Sequence, residues 1–231
     1  MTSAYLKNTS LTVLALLLPL SMSACTAADV QSNAETATNS VKTAAANAAS
    51  ETSSDITKAV SGTYIGDPTH TYVGLTYMHQ GYARATLRVD NVAIKLDLDA
   101  AAPETATLRV DMKAENISTG TEKFDQHLMS ADFFDSAAYP DMTYTSTSMN
   151  MKTPSSGTVT GDLTMKGVTK PVTLDVSLNK IGQNFRSKAD MIGISATGEI
   201  NRSDWGLGKY SPTVGDAVTL VIEAEMAIKG E

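Results

Sequence analysis

The sequence predicts a mainly β domain, an eight-stranded antiparallel barrel with a short helical capping segment. Three observations point there. Apolar residues alternate with polar ones at a period close to two through most of the second half of the chain. Several of the alternating runs are separated by short Gly- or Pro-containing connections, which favour antiparallel hairpins. One stretch, 122–138, breaks the alternation and sets Leu128, Phe133 and Phe134 at roughly helical spacing before Pro140. Strands with one apolar and one wet face must cover the apolar face, and closing the sheet on itself does so while removing its edges.

Residues 1–24 read as a signal peptide outside the fold. Lys7 supplies the positive charge, and residues 11–22 form an apolar run too short for a membrane span of roughly 20 residues. The run ends in Met22-Ser23-Ala24-Cys25, a lipobox-like sequence that makes Cys25 a candidate lipidation site; ordinary cleavage near Ala24 or Ala28 is the alternative. Cys25 is the only cysteine, so no intrachain disulfide forms. Acylation there implies a membrane anchor, with Thr26 after the cysteine pointing to the outer membrane facing the periplasm. Residues 25–61, rich in Ala, Ser, Thr and Asn, read as a disordered tether. The folded domain is expected over 62–231.

Strands are expected near 70–79, 84–98, 105–116, 141–152, 158–166, 171–180, 190–201 and 217–229. In the third, Leu108, Val110 and Met112 alternate with Arg109, Asp111 and Lys113. Val172, Leu174, Val176 and Leu178 repeat the pattern, as do Ile192, Ile194 and Ala196, and then Val218, Leu220, Ile222 and Ala224. The second strand changes phase: Leu87 and Val89 are odd-numbered, whereas Ile94, Leu96 and Leu98 are even. A one-residue slip reverses the faces of a strand, so a bulge or turn is expected at Asp90-Asn91. The 122–138 segment is either a pair of helical turns or an irregular apolar loop at a barrel mouth.

Formal net charge is −7, or −8 once Lys7 leaves with the leader. That balance argues against nucleic acid, which requires a concentrated basic face. There is no nucleophile elbow, P-loop, dinucleotide fingerprint or H-E-x-x-H. The three histidines, His70, His79 and His127, lie in separated blocks without close ligand spacing, so no metal is expected. No cofactor is implied.

Three segments carry a family resemblance. They are Phe124-Asp125-Gln126-His127-Leu128 running on to Tyr139-Pro140, then Gly161-Asp162-Leu163-Thr164-Met165-Lys166-Gly167, and Asn201-Arg202-Ser203-Asp204-Trp205-Gly206 followed by Tyr210-Ser211-Pro212. With Gly62-Thr63-Tyr64, Asp67, His70 and His79-Gln80-Gly81 before them, the order resembles the YceI-like family of bacterial periplasmic proteins. The resemblance implies a lipocalin-like barrel that binds a long isoprenoid lipid, and makes a homodimer a candidate assembly.

An eight-stranded barrel holds either packed side chains or one slender ligand. Composition leaves both open, although Ala196, Gly198, Ala224 and several methionines on the inward faces suggest free volume. Strand phase and motif position nominate Leu128, Phe133, Phe134, Tyr144, Leu163, Met165, Ile194 and Trp205 as tunnel lining. His79, His127 and Arg202 are candidates for a ligand head group, and Arg202 is expected to pair with Asp204 beside Trp205. Two other readings compete. One is an enzyme acting on a small amphiphile through His127 and the aspartates at 125, 132 and 135; the other is an envelope protein with a filled barrel.

Overall fold

The computed structural model describes residues 55–230. The expected leader, Cys25 and the tether as far as residue 54 lie outside the described residues. Eleven strands form one sheet: β1 (Gly62–Gly66), β2 (Tyr72–His79), β3 (Ala83–Val89), β4 (Ala93–Leu98), β5 (Thr107–Lys113), β6 (Ile117–Ser118), β7 (Asp141–Thr153), β8 (Ser156–Met165), β9 (Val168–Gln183), β10 (Asp190–Asn201) and β11 (Val214–Ile228). Their order is β1-β4-β5-β7-β8-β9-β10-β11-β2-β3-β6, and β1 also pairs with β11, which closes the ring.

The eleven strands build eight staves, because three staves are interrupted. β1 and β2 lie one after the other along the same edge of β11, and β4 and β3 run back along them. β5 and β6 repeat the interruption against β4 and β3. The expected phase change in the second stave is real. Asn91 takes a left-handed φ of 52°, and Val89 and Val92 on either side of the turn are both buried. The break in the first stave, by contrast, hid β1 from the periodicity. There Asp67 accepts from Thr69 N at 2.8 Å and Thr69 Oγ1 at 2.7 Å, and His70 Nδ1 lies 2.8 Å from the other carboxylate oxygen.

Inward and outward faces alternate as the sequence implies. In β8, Gly157, Val159, Gly161, Leu163 and Met165 are buried, and their neighbours are not. Outward faces carry ion pairs such as Lys95–Asp97 at 2.6 Å and Lys152–Asp175 at 2.7 Å, each exposed and worth roughly 0–1 kcal/mol. The segment after β6 forms a helix, α1 (Glu122–Met129), followed by tight turns in which Phe133 N donates to Ser130 O and Phe134 N to Leu128 O. Asp125, in the first turn of α1, accepts from Thr119 N at 2.6 Å and Thr119 Oγ1 at 2.7 Å, fastening the helix to the chain leaving β6.

The domain starts earlier than expected. Residues 55–61 are not tether: Ile56–Lys58 is a 3₁₀ turn capped by Asp55, and Ile56 N donates to Pro154 O at 2.9 Å. Ala59 is buried, and Ile56 packs against the core. Ile56, Ala59 and Val60 between polar neighbours are too weak a signal to mark a docked turn.

Candidate functional site

The barrel interior is not filled. A cavity of about 220 Å3 runs through it, on a scale where one water needs about 10–15 Å3. Its walls come from the inward positions of nearly every stave, among them Leu75, Ile94, Leu108, Tyr144, Leu174 and Ile194. No charged residue lines it. At one end the lining finishes on Ile56, Pro103 and Pro154, so the docked N-terminal turn forms part of that mouth.

Tyr144 shows how the wall stays apolar. Its hydroxyl donates toward Val159 O at 3.1 Å and Val172 O at 3.2 Å, so the polar end is spent on backbone and the ring faces the cavity. Burial, with the Asp162 charge adding to it, pushes this phenol up to about 12. Gly161 makes room: a Cβ there would stand 2.5 Å from Tyr144 Cζ and 2.6 Å from Thr145 O.

A second cavity, about 240 Å3, lies at the α1 end and shares Leu75, Phe134 and Met165 with the first. The two cavities therefore adjoin at these three side chains. The lining of the second combines Leu128, Phe133 and Leu207 with Tyr77, His79, His127, Arg202 and Tyr210, so the histidines and the arginine of the interior gather here. Burial raises the Tyr77 phenol above its ordinary value, and the Arg202 charge opposes that shift.

Arg202 is buried and is held by carbonyl oxygens. Its Nε donates to Gly215 O at 2.9 Å, Nη2 to Val214 O at 2.9 Å, and Nη1 to Lys209 O at 2.9 Å and to Leu207 O. The expected Arg202–Asp204 pair is therefore wrong. In the 3₁₀ turn Arg202–Trp205 the guanidinium turns inward, whereas Asp204 faces solvent and takes Lys170 Nζ at 2.9 Å.

Of the expected lining residues, Tyr144, Leu163, Met165, Ile194 and Phe134 border the first cavity, and Leu128, Phe133, Phe134 and Met165 the second. Trp205 borders neither. It is 2% exposed, and its indole Nε1 donates to Leu163 O at 3.0 Å, so the ring braces β8 from behind. Gly198 leaves no volume either: a Cβ there would meet Leu174 Cδ2 at 2.7 Å, so Leu174 already occupies the space. The expected head-group residues His79, His127 and Arg202 come together around the second cavity. His127 stacks edge-on against Phe133 with ring centroids 5.1 Å apart, and its Nε2 lies 3.6 Å from Asp132. The Lys209 ammonium is the closer partner of Asp132 and holds its carboxyl below the usual range. Ile56, Tyr77 and Met149 also line the cavities without having been expected; the odd-numbered run Val73, Leu75, Tyr77 in β2 carries the signal for the second.

Among the described residues, no group of three or more His, Cys, Asp or Glu side chains is placed to hold a metal ion.

Comparison with known proteins gives a consistent picture. A YceI-like domain model matches residues 64–226. A UPF0312 protein of Pseudomonas putida is 34% identical over 138 residues, covering 60% of this chain and 71% of the relative. Among solved structures, the YceI protein of Campylobacter jejuni superposes with a TM-score of 0.60 at 30% identity, covering 64% of this chain and 87% of that one. A domain from Saccharophagus degradans, described as a polyisoprenoid binding domain implicated in plant cell wall breakdown, has a TM-score of 0.54 at 13% identity over 72% of this chain and 98% of its own. At that identity the likeness speaks to fold alone.

Proposed function

The chain belongs to the YceI-like family, and from that premise we propose that it binds a long-chain isoprenoid lipid within its barrel and stores or carries it in the periplasm. The observation that carries this reading is the pair of adjoining cavities, the first without any charged lining and the second bordered by Tyr77, His79, His127 and Arg202. An isoprenoid tail has the matching asymmetry: a long hydrocarbon with one polar terminus. The tail lies between Ile56 and Phe134, and the head group, whether quinone, quinone precursor or diphosphate, reaches the α1 end.

Physical chemistry explains why such a lipid needs a carrier. Each buried methylene is worth about 0.8 kcal/mol, so a tail of several isoprene units does not cross water unaided. The same arithmetic exceeds the practical affinity ceiling near 20 kcal/mol, so net affinity is set by competition with membranes. In this proposal lipidation at Cys25 anchors the carrier at the outer membrane, facing the periplasm. The reading is non-catalytic. Of the aspartates near His127, Asp125 is taken by Thr119, and Asp132 is held more closely by Lys209 than by His127.

Thermal denaturation with an added isoprenoid quinone tests this reading. Ligand at about a hundred times its Kd raises Tm by roughly 5–10 °C for a domain of this size. No rise, in protein first stripped of lipid, contradicts it.

A further inference from the structure

The hairpin joining β9 and β10 departs from the rest of the surface. β9 pairs with β8 only as far as Ser177, then continues to Gln183, which pairs with Asp190. The turn between them is built rather than loose. Asn184 Oδ1 accepts from Arg186 N at 2.9 Å and Ser187 N at 3.1 Å, and Asn184 N donates to Ala189 O at 2.9 Å. That turn displays Phe185, which is 79% exposed, while Phe124, Phe133 and Phe134 all pack against the core. An exposed phenylalanine on a braced turn is costly in water and favourable at a bilayer interface.

Residues 180–189 carry three positive charges and no negative one. Lys180, Arg186 and Lys188 are exposed, and among the described residues none of them forms an ion pair with a carboxylate. Elsewhere on the barrel wall Lys95, Arg109, Lys113 and Lys152 each sit against an aspartate, so the hairpin's cluster is set apart by its lack of paired acid rather than by exposure alone. Arg186 lies over the Phe185 ring, 5.7 Å from its centroid. Asp190 at the base is the hairpin's own acidic residue, and Asp99 and Glu104 lie at the β4–β5 connection, across the ring from this hairpin. The chain as a whole is acidic, so a basic, aromatic tip is a local exception to its composition.

We propose that the β9–β10 hairpin seats on an anionic lipid surface, with the Phe185 ring in the interface and Lys180, Arg186 and Lys188 among the headgroups. A membrane fits better than a protein because a single ring on a convex turn offers no groove or flat patch for a folded partner. The hairpin grows from the same end of the barrel as the mouth at Ile56 and Pro154, since Leu178 N donates to Ser155 O there. Seating it turns that mouth toward the bilayer. This contact stands independently of what the passage holds, because no residue of the turn lines either cavity.

The test places a reporter at the tip. Phe185→Trp in the full chain is mixed with phosphatidylglycerol-rich vesicles and, separately, with phosphatidylcholine vesicles. The introduced indole is expected to shift its emission to shorter wavelength on the anionic vesicles and to become shielded from iodide. The wild-type chain, whose Trp205 is already buried, is expected to show no shift. Adding Lys180→Glu, Arg186→Glu and Lys188→Glu is expected to weaken the response by about a hundredfold or more. An unshifted emission on anionic vesicles overturns the proposal. So does a shift that is equal on both vesicles and indifferent to the charge reversals, since an anchor elsewhere in the chain then suffices. Bound isoprenoid in an organic extract is unaffected in every case, so failure here leaves the carrier reading intact.

Discussion

The ring of Tyr144 on β7 lies against the backbone of Gly161 on β8, so that a Cβ at 161 would stand 2.5 Å from Tyr144 Cζ. The contact presents an aromatic face to the passage while the hydroxyl reaches Val159 O and Val172 O. Gly161→Ala is expected to push the ring off these carbonyls and destabilise the barrel by about 1–3 kcal/mol, the usual cost of overpacking. Urea denaturation measures it. A destabilisation below about 0.5 kcal/mol shows that the ring has room to move.

Arg202 organises the β10–β11 connection by donating to four carbonyls. Lysine keeps the charge but cannot span that fork of acceptors. Arg202→Lys is expected to cost about 2–4 kcal/mol through buried carbonyls left without donors. Chemical denaturation reports the loss. Asp204→Ala, which removes only a half-exposed contact with Lys170, is expected to change stability by less than about 1 kcal/mol.

The turn between β1 and β2 is sensitive to pH through Asp67 and His70. Hydrogen bonds from His70 and Thr69 hold the Asp67 carboxyl down at about 2, and the Asp67 hydrogen bond and charge raise the His70 imidazole above 6.5. The carboxylate's contribution is fully present above its unfolded value near 3.8 and is lost as the pH falls toward 2. The imidazolium's contribution is fully present below 6.5 and is lost as the pH rises through its raised value. The difference in Tm between wild type and His70→Ala is therefore expected to be largest between these limits and to shrink on the alkaline side. A difference that is flat with pH contradicts the pairing.

Ala196 is 3% exposed, faces the first cavity and lies between Val176 and Ile222 in the register. Ala196→Phe places a ring in the passage, where open volume receives it. Lipid uptake is expected to fall at least tenfold while the far-ultraviolet circular dichroism of the barrel persists. Thr197→Phe, on the exposed face one residue on, is expected to leave uptake unchanged.

The barrel was legible because one apolar and one wet face leave a period of two in β5, β8, β9, β10 and β11, and because Leu87, Val89 and Ile94 recorded the break in their stave. β1 was not, since five residues ahead of a turn carry too little alternation to separate from the spacer before them. Where phase decides direction, as at Tyr144, Leu163 and Ile194, the nominated side chains border the first cavity. Trp205 lies off both cavities, in a 3₁₀ turn where no two-residue period says which way a side chain faces, and in the same turn Asp204 meets Lys170 instead of Arg202. Gly198 misled for a related reason: the absence of a side chain was taken as space, when Leu174 had filled it.

The most direct measurement is mass spectrometry of an organic extract from the natively purified protein. A polyprenyl species is expected at close to one molecule per barrel, absent from the extract of Ala196→Phe. A folded protein whose extract is empty, and which takes up no added isoprenoid quinone, contradicts it.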